Sequence, residues 1–186
     1  SLNSPAGGDL AGEVLYIADK GNHIIRKLEI TNLNSAPLIM IAGNLGVSGY
    51  GYSAGYSASF YNPVGITADG MGNLYVADTG NHTIRKVVIA TGEVTTVAGI
   101  PSIPGFMNSE FGYPMFNYPR GICIIGNHLY VADSGNHLVR RVNLSTGYVG
   151  LVAGLSDYVT NTGSAGTSDS TGAAAGFNDP RGITTD

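Results

Sequence analysis

The chain has 186 residues, 43% hydrophobic and only 12% charged, with a formal net charge of −4; that apolar content is enough for one domain or a short repeat array. Apart from the paired Arg26 and Lys27, Arg85 and Lys86, and Arg140 and Arg141, its only basic residues are Lys20, Arg120 and Arg181, too few for a surface that tracks nucleic-acid phosphates. No apolar run approaches the ~20 residues that span a bilayer, and the single cysteine, Cys123, stands in Gly121-Ile122-Cys123-Ile124-Ile125, where it cannot form an internal disulfide and reads as a buried small hydrophobe.

In chain order, Pro5 is followed only by Ala6-Gly7-Gly8-Asp9, without the apolar run that opens the later units. The first unit, about residues 12–43, is therefore expected to lack its own first strand. It begins with Leu15-Tyr16-Ile17-Ala18-Asp19, a strand, then the turn Gly21-Asn22-His23 and a second strand through Ile25-Arg26-Lys27.

The second unit, about residues 60–99, is the most complete. Its strands are read as Val64–Ala68, Leu74–Ala77, Thr83–Ile89 and Val94–Ala98, separated by Asp69-Gly70-Met71-Gly72-Asn73, by Asp78-Thr79-Gly80-Asn81 and by Ala90-Thr91-Gly92. Gly and Asn stand where positive φ is easiest. The third unit, about 116–154, repeats the text as Leu129-Tyr130-Val131-Ala132-Asp133, Gly135-Asn136-His137 and Val139-Arg140-Arg141, and residues 177–186 open a further unit with one strand.

Between the units lie longer segments, 43–60, 99–116 and 154–177, each ending in the phrase Phe-x-x-Pro-x-Gly-Ile. They are expected to form loops on one face. The Tyr/Gly-rich run from Gly49 to Tyr56 reads as packing against the neighbouring unit, and Thr160 to Ala175 is a Ser/Thr/Gly/Ala tract with little to bury.

Four short antiparallel strands in tandem repetition describe a β-propeller blade, so the fold class is all-β, with three four-stranded antiparallel blades. The pattern Asn-Leu-Tyr-Val-Ala-Asp-x-Gly-Asn-His-x-Ile-Arg-Lys, followed by Thr-Gly-x-Val-x-x-Val-Ala-Gly, resembles the NHL repeat family, whose signature Asn136-His137-Leu138 spells outright. The resemblance implies blades that close into a ring when a strand from one terminus completes the blade begun at the other. Three blades are fewer than a ring needs. The segment Gly182, Ile183, Thr184 and Thr185 is thus expected to pair with Leu15, Tyr16 and Ile17 of another copy, giving a six-bladed dimer or a head-to-tail filament. Alternatively, the chain is a piece of a longer propeller of the ligand- or protein-binding, sensor type.

The repeated polar residues are Asp19, Asn22, His23 and Arg26; Asp78, Asn81, His82 and Arg85; and Asp133, Asn136, His137 and Arg140. Clustered His and Asp can hold metal, yet one set per blade separates the histidines, and repetition marks a structural turn with an Asp–Arg ion pair. Some relatives in the resembled family are amidating lyases with metal in the central channel, held by inner-strand residues. Here those strands read Val64-Gly65-Ile66-Thr67, Arg120-Gly121-Ile122-Cys123 and Arg181-Gly182-Ile183-Thr184, without His or carboxylate. The expectation is a non-enzymatic structural or interaction module, extracellular or at the cell surface, with no catalytic residue, metal or cofactor. Its partners are expected to be further copies of itself or other proteins, with glycans possible at Asn143 and Asn81, which begin Asn-x-Ser/Thr sequons. Neither nucleic acid nor membrane insertion is expected.

Overall fold

The computed structural model describes residues 1–31, 36–157 and 162–185, and it is all-β with short 3-10 turns. Blade 1 comprises β1 (Gly7–Ala11), β2 (Val14–Asp19), β3 (Ile24–Glu29) and β4 (Leu38–Gly43), neighbours in that order. Blade 2 comprises β5 (Ser53–Ala54), β6 (Pro63–Ala68), β7 (Asn73–Asp78), β8 (Thr83–Val88) and β9 (Glu93–Ala98). The short β5 pairs outside β9, giving the order β5-β9-β8-β7-β6. Blade 3 comprises β10 (Pro119–Ile125), β11 (His128–Asp133), β12 (Leu138–Asn143) and β13 (Val149–Ala153), followed by a hairpin of β14 (Leu155–Asp157) and β15 (Thr162–Ser164). In the Ser/Thr tract expected from Thr160 to Ala175, residues 160 and 161 lie outside the described residues.

The run Leu-Tyr-Val-Ala is continuously apolar because the middle blade is covered on both faces. Leu74 and Val76 enter a core with Tyr16, Ala18 and Ile25 of blade 1, while Tyr75 and Ala77 enter a second core with Leu129, Val131 and Phe116 of blade 3. Burying each Leu or Val side chain contributes about 1.5–3 kcal/mol, so blade-to-blade packing dominates the fold.

The expectation that blade 1 lacks its own first strand is corrected. Gly7–Ala11 is that strand, with Gly8 opposite Ile17, Asp9 opposite Tyr16 and Leu10 opposite Leu15. Two glycines have low strand propensity, but the ladder needs only backbone groups, which β2 supplies. Glycine is moreover required at one of these positions. A Cβ on Gly7 would lie 2.2 Å from the Val64 carbonyl oxygen of the next blade; on Gly65 it would lie 2.1 Å from that of Arg120, and on Gly121 2.6 Å from that of Arg181. The glycine of each Pro-x-Gly phrase therefore marks the place where adjacent inner strands crowd together.

The expected exchange of Gly182, Ile183, Thr184 and Thr185 onto Leu15, Tyr16 and Ile17 is corrected on the same ground. The backbone of those three residues is already paired with β1. Residues 181–185 form no strand; the backbone of Arg181, Gly182 and Ile183 lies instead against Gly121 of β10, in the position an inner strand of a further blade would take.

Candidate functional site

Each blade carries one polar knot where its second strand ends. Asp78 closes β7 and is fully buried; its Oδ1 accepts the Tyr61 N–H at 2.8 Å, and its Oδ2 accepts Asn81 Nδ2 at 2.8 Å and an Arg85 guanidinium N–H at 3.2 Å. Asp133 repeats the arrangement with the Asn117 N–H at 2.8 Å, Asn136 Nδ2 at 2.8 Å and Arg140 at 3.1 Å. In blade 1, Asp19 accepts the Asn3 N–H, Asn22 Nδ2 and Arg26 Nε, all at 2.8 Å. One carboxylate thus ties the lead-in loop of its blade, the 3-10 turn and the third strand together.

The β-ladder is distorted at the same place in all three blades. A register shift falls between Ile25 and Arg26, Ile84 and Arg85, and Val139 and Arg140. Such bulges re-aim side chains, and each of these arginines points back at its Asp.

Burial pushes the Asp78 and Asp133 carboxyls up to about 6, against the pull of their amide and guanidinium donors. Near neutral pH both are therefore ionised and paired. At Asp19 burial also pushes upward, but Asn22, the Asn3 N–H and Arg26 outweigh it and hold the group below the usual carboxylate range.

The histidines cap the 3-10 turns with left-handed backbone, φ being 60° at His23, 59° at His82 and 59° at His137. His tolerates that region better than most residues. Each ring then reaches the next blade: His23 Nδ1 accepts the Asn62 N–H at 3.2 Å, His82 Nδ1 the Tyr118 N–H at 3.1 Å and His137 Nδ1 the Asp179 N–H at 3.0 Å. An accepting Nδ1 fixes the neutral ring with its proton on Nε2. Burial lowers the His23 and His82 pKa values below the usual imidazole range, which favours that form.

The long segments between units do more than loop over one face. In blade 2 the segment 43–60 covers the arginine: Arg85 NH2 donates to Gly51 O at 2.9 Å, Asn81 Nδ2 to Gly49 O at 2.8 Å, and the guanidinium carbon sits 4.4 Å from the Tyr50 ring centre and 5.7 Å from that of Phe60. Blade 3 reproduces this with Met107 O at 2.9 Å, Gly105 O at 2.8 Å, Phe106 at 4.8 Å and Phe116 at 5.2 Å. Cation–π contact and hydrogen bonds to the terminal nitrogens together hold each fully buried guanidinium, while its Nε has no acceptor. The sequence held a signal for these lids: Gly49, Gly105 and Gly166 each stand eleven residues before the closing Phe and donate their N–H to its carbonyl.

The structure therefore brings Asp, Asn and Arg together within each blade and spreads the three His over successive blade boundaries. Among the described residues no three His, Cys, Asp or Glu side chains gather as a metal site. Asn81 is buried with its amide nitrogen held by Gly49 and Asp78, so the expectation of a glycan there is corrected. Asn143 is half-buried, and its Oδ1 accepts the N–H groups of Ser145 and Thr146 in a turn.

Comparison with known proteins gives the same architecture. Residues 60–87 and 116–142 match the family model of the NHL repeat. The chain is similar to the NHL repeat-containing protein 2 of Homo sapiens, 34% identical over 160 residues that cover 80% of this chain and 22% of that protein. The corresponding Bos taurus protein is 34% identical over 154 residues, covering 76% of this chain and 21% of that one. The chain spans about a fifth of the length of these relatives. A structural-genomics protein of Bacteroides thetaiotaomicron superposes with a TM-score of 0.70 at 22% identity over 96% of this chain and 41% of its own length, a likeness of fold.

Proposed function

Because the chain is an NHL-repeat β-propeller chain, we propose that it serves as a non-enzymatic protein-interaction module, one arc of a larger propeller whose outer blade faces are covered by further blades of the same type. The observation that carries this reading is a positional equivalence. Phe60, Leu74 and Val76 are buried against blade 1, and Phe116, Leu129 and Val131 against blade 2. Their counterparts Leu2, Leu15 and Ile17 line a shallow groove of about 310 Å³ on the outer side of blade 1, with Leu2 39% exposed. That face has the composition of a blade–blade interface. The groups a catalyst would recruit, the three His and three Asp, are meanwhile committed to backbone and guanidinium partners.

A second reading is closure by another copy, face against face rather than by strand exchange. Tyr130 and Ala132 of blade 3 occupy the positions that Tyr75 and Ala77 use to meet the following blade, so the two ends of one chain are complementary in kind. Light scattering separates the readings. The first expects the 19.2 kDa chain to run as a monomer that binds an anilinonaphthalene dye, with binding reduced by Ile17→Ser; a discrete species of twice that mass would transfer the assignment to the second. We also propose an extracellular or cell-surface setting, supported by the low charge and by a sole thiol, Cys123, that is buried away from oxidants.

A further inference from the structure

In a repeat scaffold, the residues that break the repeat are the ones the scaffold does not explain. Lys20 follows Asp19 where blades 2 and 3 have Thr79 and Ser134. Those hydroxyls fasten neighbouring blades, Thr79 donating to Pro119 O at 2.6 Å and Ser134 to Pro180 O at 2.5 Å; lysine cannot reproduce so short a bond from a four-carbon stem. Arg120 stands before the inner-strand glycine where blade 2 has Val64 and blade 1 has Ala6, a place that Arg181 takes in the following unit. Lys20 and Arg120 line one cavity of about 370 Å³, bordered also by Tyr61, Tyr118, Asn62 and Thr79. That volume is in the range of small-molecule sites.

The charge of this cavity runs against that of the chain. With a net charge of −4 overall, none of the residues lining the cavity is acidic. Arg181, the remaining basic residue outside the repeated pairs, is held by Asp179 at 2.6 Å. Arg120, by contrast, makes no hydrogen bond or ion pair among the described residues; its buried Nε lacks an acceptor, as do those of Arg85 and Arg140. Lys20 Nζ likewise has no counter-charge among them. What sets Arg120 apart is its charge: Arg85 and Arg140 each reach an aspartate, whereas the Arg120 guanidinium lines a cavity without a counter-charge, which a bound anion would supply.

We propose that this cavity binds a small oxyanion, a carboxylate or a phosphate, clamped between the planar fork of Arg120 and the ammonium of Lys20. The guanidinium supplies bidentate geometry and the ammonium a point charge, while Tyr61 and Tyr118, 43% and 50% exposed, border the site with aromatic edges. This binding role is independent of what covers the outer blade faces.

The test uses inorganic phosphate and succinate as probes, titrated into the chain at low ionic strength by calorimetry, with chloride at matched ionic strength as reference. At least one of the two anions is expected to saturate; phosphate alone identifies a phosphate ester as the ligand class, and succinate alone a carboxylate. Lys20→Thr and Arg120→Val install residues that other blades already carry at those positions, so melting temperatures should stay close to wild type. Each should weaken binding by about tenfold or more, as expected for losing one charged contact, whereas Arg141→Gln on the exposed side of blade 3 should leave it unchanged. Absence of saturation by both anions up to ~50 mM, weaker than any specific site, or equal affinity in Lys20→Thr, Arg120→Val and wild type, would overturn the proposal.

Discussion

Replacing Asp78 by Asn removes one charge from a fully enclosed knot and turns one of two acceptor oxygens into a donor. The remaining oxygen can still receive the Tyr61 N–H. The new NH2 then faces Asn81 Nδ2 and the Arg85 guanidinium, both of which donated to Asp78 Oδ2 at 2.8 and 3.2 Å. Two hydrogen bonds are lost and Arg85, 0% exposed, keeps its charge without a counter-ion. Breaking a buried pair in this way costs about 3–5 kcal/mol, and for a chain of this size each kcal/mol moves Tm by about 2–4 °C, for a fall of roughly 6–20 °C. Asp19→Asn is the internal reference: Arg26 is 12% exposed, water can hydrate it, and the loss should be about 1–3 kcal/mol. Thermal melts followed by far-UV circular dichroism read both. Adding Arg85→Met to Asp78→Asn should recover part of the loss, because the uncompensated charge goes with it. Equal shifts for Asp78→Asn and Asp19→Asn, or strictly additive losses in the double variant, would refute the reasoning.

Gly65→Ala drives a methyl to 2.1 Å from the Arg120 carbonyl oxygen and should destabilise by about 1–3 kcal/mol or more in the same melts, whereas Gly182→Ala meets nothing within 4 Å and should be nearly neutral. His82→Asn removes the Nδ1 acceptor of the Tyr118 N–H. Since burial lowers the folded-state pKa of His82, the unfolded chain takes up protons first as pH falls below about 6.5, so the stability advantage of wild type over this variant should shrink from pH 7.5 to 5.5. The Asp78 and Asp133 carboxyls, pushed up by burial, are common to both proteins and cancel in the difference. Cys123 is 7% exposed with its thiol pKa raised by burial, so it should react with Ellman's reagent slowly in the native protein and rapidly in denaturant.

Much of the architecture is legible in the sequence because turn glycines and the Leu-Tyr-Val-Ala run recur in register, and the inferred strands of blade 2 nearly coincide with β6 to β9. Gly7–Ala11 was not legible as a strand. Its evidence is a close approach to Val64 of another blade, and without that contact Gly-Gly reads as a break. Arg85 reads in the sequence as the partner of a repeated ion pair; its complete burial depends on the bulge between Ile84 and Arg85 and on the lid carrying Tyr50, which no local pattern shows. Lys20 and Arg120 could be noticed as leftover cations, but their meeting at one cavity depends on three blades converging there, which no local pattern encodes.

Native-state amide hydrogen exchange tests the claim that the repeated His and Asp fasten the scaffold. The N–H groups of Asn62, Tyr118 and Asp179 donate to histidine rings, and those of Tyr61 and Asn117 to buried carboxylates, although all five residues sit in loops. The account predicts strong protection at these amides, comparable to the central strands, with Tyr118 losing it selectively in His82→Asn. Exchange at the rate of open loop amides in the wild-type protein would contradict it.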